Sequence, residues 1–270
     1  NAWGVTCLLL TTQSFNSWNH EKSRMYIGVD GCPAGWVAVQ FDEDSYEDTD
    51  LYEDIHELWM AHGDAVEQIL IDIPIGLRKN SNAKRPCDDA ARKKLSPKRH
   101  SSVFSVPVRA AVHKGSYEDA KETQEKRTDG SLGVQSWGIA DKIAELDSFL
   151  CETEPDAVGT IRESHPEVCF WALNGESATE YSKTGQPAAA FWERIETLEA
   201  IDDAIIDDVR DAATGLDSDV GNDDIIDAFA LALTASPKTG PLHTLPDEWP
   251  GDDEGDPTNK LPMEMVYAYP

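Results

Sequence analysis

Apolar residues come in short runs separated by polar stretches, and the spacing of each run predicts an element. Residues 25–30 (MYIGVD) are almost continuously apolar and predict a buried strand. Gly31 to Gly35 is a turn, and residues 35–41 (GWVAVQF) alternate as a second strand should. A weaker third strand is predicted at 49–53, and helical spacing follows at 55–61. Residues 68–73 (QILIDI) form an apolar strand interrupted by Asp72, and Pro74 ends it. A long polar stretch runs from Arg78 to about Gly133. Residues 137–151 place Ile139, Ile143, Leu146 and Leu150 on one helical face. A last strand at 158–162 ends at Glu163, and helices are expected at 166–173, 187–199, 202–213 and 223–235. Asn222 is the expected N-cap of the last helix, and 237–270, rich in Pro, Gly and Asp, is expected to be mostly loop. A hairpin start followed by alternating strands and helices predicts an α/β layered sheet. Residues 1–24 do not fit this pattern and are read as a disordered or non-native extension, leaving 25–270 as one domain with an insertion at about 78–135.

Five carboxylates stand out against this pattern. Asp30 and Glu163 close predicted strands, and Asp72 lies among Ile69, Leu70, Ile71, Ile73 and Ile75. In open α/β sheets, ligands gather outside the carboxyl ends of strands. A carboxylate inside an apolar run needs a cation or hydrogen bonds. Asp224 and Asp227 are three apart and share a helix face, where like charges repel unless a cation lies between them. Carboxylates gathered from separate elements suit a hard cation such as Mg2+ or Mn2+, and so metal-dependent chemistry on phosphate. Plainer readings stand beside these. Asp30 before Gly31 is also a turn signal, Asp72 also fits an exposed edge, and Asp223 and Asp224 also favour a helix N-terminus through its dipole. His165 and Glu167 flank Pro166, where Ser164 is a candidate cap, Glu167 a first-turn acid and His165 a structural hydrogen-bonder.

Charge changes the picture of partners. The chain has 270 residues, 51 acidic and 23 basic, for a net charge of −28. Such an excess repels nucleic acid in general. The acids lie in turns and on helix faces and form a solvated coat of the kind suited to a cytoplasm at very high salt. Nine of the 23 basic residues nevertheless fall between positions 78 and 100: Arg78, Lys79, Lys84, Arg85, Arg92, Lys93, Lys94, Lys98 and Arg99, with Arg109 and Lys114 beyond. Placed just after Asp72, they predict a strip that contacts nucleic-acid phosphates by shape rather than sequence. The competing reading is local balance against the acidic coat. Five scattered cysteines without a Cys-x-x-Cys pair point to neither a disulfide framework nor a zinc site, and so to a reducing cytoplasm. No run is long enough to span a membrane. Neither a dinucleotide fingerprint, a P-loop nor a nucleophile elbow is present.

Several strings together resemble a known family: YIGVDGCPAGWVAV (26–39), LIDIPIGL (70–77), RPCDDAARKKL (85–95), SSVFSVPVRAAV (101–112), SWGIADKIAELD (136–147), RESHPEVCFWALNG (162–175), DDIIDAFALALTA (223–235) and LPMEMVY (261–267). In this order they resemble domain-of-unknown-function family 429, regarded as predicted nucleases of the ribonuclease-H-like fold. The segment 224–228 is also similar to the last helix of Holliday-junction resolvases. The resemblance implies a mixed five-stranded sheet flanked by helices. It implies Asp30 on the first strand, Asp72 on the fourth, and Asp224 or Asp227 on the final helix as metal ligands, with Glu163 a family-specific neighbour. Arg85, Asp89, Arg92, Ser102, Phe104 and Lys142 match other motif positions, with no role implied. The expectation is a divalent-metal nuclease in which Asp30, Asp72, Asp224 and Asp227 hold two Mg2+ or Mn2+ ions and Arg78, Lys79, Arg85, Arg92, Lys93, Lys98, Arg99 and Arg109 line the nucleic acid. The alternatives are a non-catalytic nucleic-acid-binding or interaction protein on the same fold, and an actin-like phosphotransferase. The last generally repeats its first hairpin, and no second copy appears in the sequence.

Overall fold

The computed structural model describes residues 24–81, 84–216, 220–248 and 261–270, so most of the expected N-terminal extension lies outside the described residues. Strands β1 (Met25–Cys32), β2 (Gly35–Phe41) and β3 (Tyr46–Tyr52) form an antiparallel meander. Helix α1 (Ile55–His62) follows, capped by Asp54, which accepts from the Glu57 N–H at 2.8 Å. Strand β4 (Val66–Ile71) then pairs parallel to β1, and β5 (Ile161–Glu163) pairs parallel to β4. The sheet order β3-β2-β1-β4-β5, with helices on its faces, is the ribonuclease-H-like arrangement.

Alternation along the strands divides the core into two layers. Ile27, Val29, Ile69 and Ile71 pack on one face with Leu58 of α1 and with Ile143 and Leu146 of the helix Ala140–Ser148. Tyr26, Val39, Phe41 and Leu70 pack on the other with Phe229, Ala228 and Ala232 of the helix Asn222–Ala235. A strand side chain shares its face with those two residues away. Asp30 therefore follows Tyr26 and Gly28 onto the second face, and Asp72 follows Leu70.

The polar stretch after β4 carries three helices that the hydrophobic pattern did not show: α2 (Pro86–Lys94), α3 (Arg109–Val112) and α4 (Tyr117–Arg127). The expected helix over 137–151 is divided into α5 (Val134–Gly138) and α6 (Ala140–Ser148), because Ile139 leaves helical geometry at φ −115°, ψ 8°. Then come α7 (Pro166–Leu173), α8 (Pro187–Glu199), α9 (Ile205–Gly215) and α10 (Asn222–Ala235). His165, not Ser164, caps α7, with its Nδ1 accepting from the Glu167 N–H at 3.2 Å; the Ser164 hydroxyl donates to the Val266 carbonyl at 2.7 Å. Gly221, not Asn222, is the N-cap of α10.

The C-terminal segment is not all loop. Strands β6 (His243–Leu245) and β7 (Met265–Tyr267) pair antiparallel and cover a third cluster with α2 and α7, in which Cys87, Ala91, Trp171, Leu245 and Met263 are buried. Each strand is three residues long, too short for a period to show. No helix among the described residues is long and apolar enough to cross a membrane.

Candidate metal centre

Two parallel strand ends and one helix build the centre. Val29 lies opposite Ile71, and the Asp72 N–H donates to the Val29 carbonyl at 3.0 Å, so the β1–β4 ladder continues one residue past β4. Asp30 and Asp72 thus leave adjacent parallel strands on the same face. Helix α10 lies directly on β1 because Gly28 has no side chain. A Cβ there would come within 2.1 Å of the Ala228 carbonyl oxygen and 2.2 Å of the Ala232 nitrogen. That contact sets Asp227, one residue before Ala228, beside the end of β1. Oxygen atoms of Asp30, Asp72 and Asp227 all lie within 4.8 Å of one another.

Three carboxylates so close, and so deep, repel one another and lose hydration. Burial pushes the Asp30 carboxyl well above the usual carboxylate range, and the charges of Asp72, Asp227 and Asp224 push it further. Burial raises Asp72 to about 6; the nearby His165 opposes the shift, and Asp227 adds to it. Asp227 is also raised by burial, while Lys183 pulls it down. One Asp227 oxygen, Oδ2, accepts from the Lys183 ammonium; the other, Oδ1, is buried with no hydrogen-bond partner. Asp30 Oδ1 accepts from the Gly31 N–H at 2.8 Å. An all-oxygen donor set with a buried, unsatisfied carboxylate oxygen fits a hard divalent cation. The centre opens into a cavity of about 230 Å³, whose lining also includes Ser102, Phe104, His165, Glu167 and Lys183.

Asp224 and Glu163 stand apart from this group. Asp224 Oδ2 accepts from the Gly221 N–H at 3.1 Å, closing the first turn of α10, which is the helix-terminus role the dipole argument allowed. It acts on Asp30 and Asp227 by charge alone. Both oxygens of Glu163 are engaged. Oε1 accepts from Arg85 Nη2 at 2.6 Å, and Oε2 accepts from Arg85 Nη1 at 2.7 Å and from the Ile75 N–H at 2.6 Å. Arg85 also donates to both oxygens of Asp88, at 2.7 and 3.1 Å. Burial pushes Glu163 up to about 7 against the pull of Arg85. Cys87, Asp88 and Glu163 also lie close enough to share an ion, but the Arg85 guanidinium already provides the positive charge there.

Most of the basic strip is engaged by groups of the chain itself. Arg85 is 1 % exposed and holds Glu163 and Asp88. Arg109 donates to Asp147 at 2.8 Å, and Arg78 to the Lys84 carbonyl at 3.0 Å. Lys84 faces Asp89 at 3.5 Å, Lys98 pairs with Glu180, and Arg99 donates to Thr179 at 3.0 Å. Lys94 lies over the Trp171 ring at 4.8 Å. Lys94, Lys98, Arg99 and Arg109 tie the segment to the rest of the fold, and Arg78 and Lys84 make contacts within it. Of the expected contacts, only Lys79, Arg92 and Lys93 have no recorded partner among the described residues.

Lys183 is the residue at the centre that the sequence does not reveal. It lies in the loop between α7 and α8, far from every carboxylate it faces, and no local pattern marks it. The only available signal was a lysine in a lysine-poor chain shortly before a helix start. Behind it, Glu167 accepts from Arg194 and, at 2.8 Å, from Thr179, which closes the wall of the cavity.

A family model described as protein of unknown function (DUF429) matches residues 28–250. No curated protein and no solved structure matches the chain.

Proposed function

We propose, for a chain that belongs to the family described as protein of unknown function (DUF429), that it is a divalent-metal-dependent phosphodiester hydrolase acting on nucleic acid. The observation that carries this reading is the convergence of Asp30, Asp72 and Asp227 at the ends of two parallel strands and on the helix across them, with Asp227 Oδ1 left unsatisfied. These three residues would hold Mg2+ or Mn2+. A bound cation of this kind polarises a phosphoryl oxygen and lowers the pKa of its water. The chain's own residues supply the rest. The Lys183 ammonium offsets the negative charge of the centre and faces the cavity where a phosphate would enter. His165, close enough to act on Asp72, also lines the cavity. The geometry supports one cation position. Asp224, the fourth ligand expected for a second ion, has one oxygen on the Gly221 N–H and lies outside the three-carboxylate cluster.

One observation favours a second reading, a non-catalytic nucleic-acid-binding or interaction protein: Lys183 already neutralises part of the cluster without an ion. Two measurements separate the readings. Calorimetric titration should show one Mn2+ bound by the wild type and lost in Asp227→Asn. Mn2+-dependent cleavage of single-stranded, duplex and branched oligonucleotides should fall by at least about 100-fold in Asp30→Asn and Asp227→Asn, a floor set by the smaller losses seen when residues behind metal ligands are removed. Equal cleavage by wild type and both variants would end the hydrolase reading. Turnover of ATP in place of oligonucleotides would favour the phosphotransferase.

A further inference from the structure

One arginine of the basic segment has no structural occupation. The chain has ten arginines, and nine of them make a hydrogen bond or ion pair. Arg92 makes none among the described residues. It lies in the last turn of α2, where the helix dipole favours a cation. The dipole does not account for its burial, however. Its side chain is half-buried, and Nε has neither solvent nor a partner. A guanidinium N–H held that way carries an uncompensated desolvation cost. In a chain with 51 acids, leaving this arginine without a carboxylate is informative.

The surroundings supply the reason. Arg92 lines a cavity of about 450 Å³ in whose wall no Asp or Glu appears. Ser101, Ser105 and Gln135 reach the same cavity with side chains that make no recorded hydrogen bond among the described residues. A protein of charge −28 repels anions over most of its surface. A cavity lined by one cation, several neutral donors and no carboxylate is where an anion can enter. A guanidinium with hydroxyl donors is the chemistry that recognises phosphate, through paired charge-assisted hydrogen bonds. The location adds a second argument. Phe104 and Val106 line both this cavity and the one that opens onto Asp30, Asp72 and Asp227, so the two share a wall.

We propose that the cavity around Arg92 is a phosphate subsite, in which the guanidinium and the hydroxyls of Ser101 and Ser105 hold one phosphate of a nucleic-acid strand whose reacting phosphate lies at the carboxylate centre. The inference rests on the phosphodiesterase reading and sharpens it. The protein grips its substrate by a neighbouring phosphate at one built site, not along a basic strip. Half-buried Phe104, between the two cavities, offers a ring to the nucleoside that joins the two phosphates.

The test measures binding without metal and cleavage with it. In EDTA, calorimetry of wild-type protein with a 5′-phosphorylated trinucleotide should show binding that Arg92→Gln weakens about 10- to 100-fold, the range for a charge-assisted hydrogen bond, and that Arg92→Lys weakens less. Ser105→Tyr, which fills the cavity and leaves Arg92 in place, should weaken it as well, and thermal unfolding of each variant checks that it folds. The same trinucleotide with a 5′-hydroxyl identifies the source of the phosphate. A clear loss assigns the subsite to a terminal phosphate, and equal binding assigns it to an internal one. Binding unaffected by Arg92→Gln and Ser105→Tyr, or no binding at all, overturns the proposal. Cleavage separates its fate from that of the hydrolase. Arg92-dependent binding without Mn2+-dependent cleavage leaves the subsite standing and removes the hydrolase reading. Cleavage with the same KM in wild type and Arg92→Gln does the reverse.

Discussion

Asp72 shows how much one residue discloses. A carboxylate in QILIDI is out of place by hydrophobicity alone, and the structure explains it: β4 ends at Ile71, and Asp72 takes the next face-sharing position after Leu70. Its carboxyl is raised from 3.8 to about 6 by burial. The metal-free fold therefore holds a proton there that the unfolded chain releases. That contribution is fully present below about pH 4 and is lost as pH rises through about 6, a loss on the order of 2–3 kcal/mol by neutral pH. Asp72→Asn carries no titrating group and should flatten this slope. Thermal unfolding of EDTA-treated wild type and variant between about pH 4.5 and 8 checks it, and parallel profiles would remove Asp72 from the account. Mn2+ should stabilise the wild type more as pH rises, because the ligand must be charged to bind it. Lys183 is the opposite case. Its importance comes from contact with Asp227, 44 positions away, and a contact between distant residues leaves no local pattern.

The decisive contact between elements is that of α10 with β1. Gly28 lets helix backbone approach strand backbone, and the atoms a Cβ would strike are a carbonyl oxygen and a peptide nitrogen, which cannot rotate away. Gly28→Ala should therefore cost more than about 3 kcal/mol, at the upper end of single substitutions. It should also lift Asp227 from Asp30 and weaken Mn2+ binding in whatever fraction folds. Urea unfolding gives the first quantity and Mn2+ titration the second; a variant within 1 kcal/mol of wild type would mean the helix has room to shift. The sequence shows this element well, since 223–235 was bounded to within one residue at the start and exactly at its end by its apolar periodicity. It shows the insertion poorly. Helix α2 is strongly polar and buries Cys87, Asp88 and Ala91, of which Asp88 is buried only because Arg85 meets it. Burial by ion pairing has no hydrophobic period to detect.

Charge governs the molecule as a whole. With 51 acids against 23 bases, the folded state works against its own repulsion, which salt screens. Many of the bases that might relieve it are fixed in specific ties, such as Arg85 to Glu163 and Asp88, Arg194 to Glu167, and Arg109 to Asp147. The thermal midpoint should rise by at least about 2 °C between 0.1 and 2 M KCl, as screening adds a kcal/mol or more of stability. Replacing KCl with sucrose of equal osmolarity distinguishes charge screening from general solute exclusion, and an equal rise in sucrose would count against the charge account.

By itself the sequence determined the layered α/β order, the meander, the last helix, and the five carboxylates among which the converging three are found, because periodicity and misplaced charge are local properties. Only the tertiary structure decided which charges meet. It gave Glu163 to Arg85, tied Asp224 to its own helix, placed Lys183 at the centre and left Arg92 without a partner. Those outcomes depend on distances between residues far apart in the chain, and Coulomb interaction and desolvation act on distance, not on order in sequence.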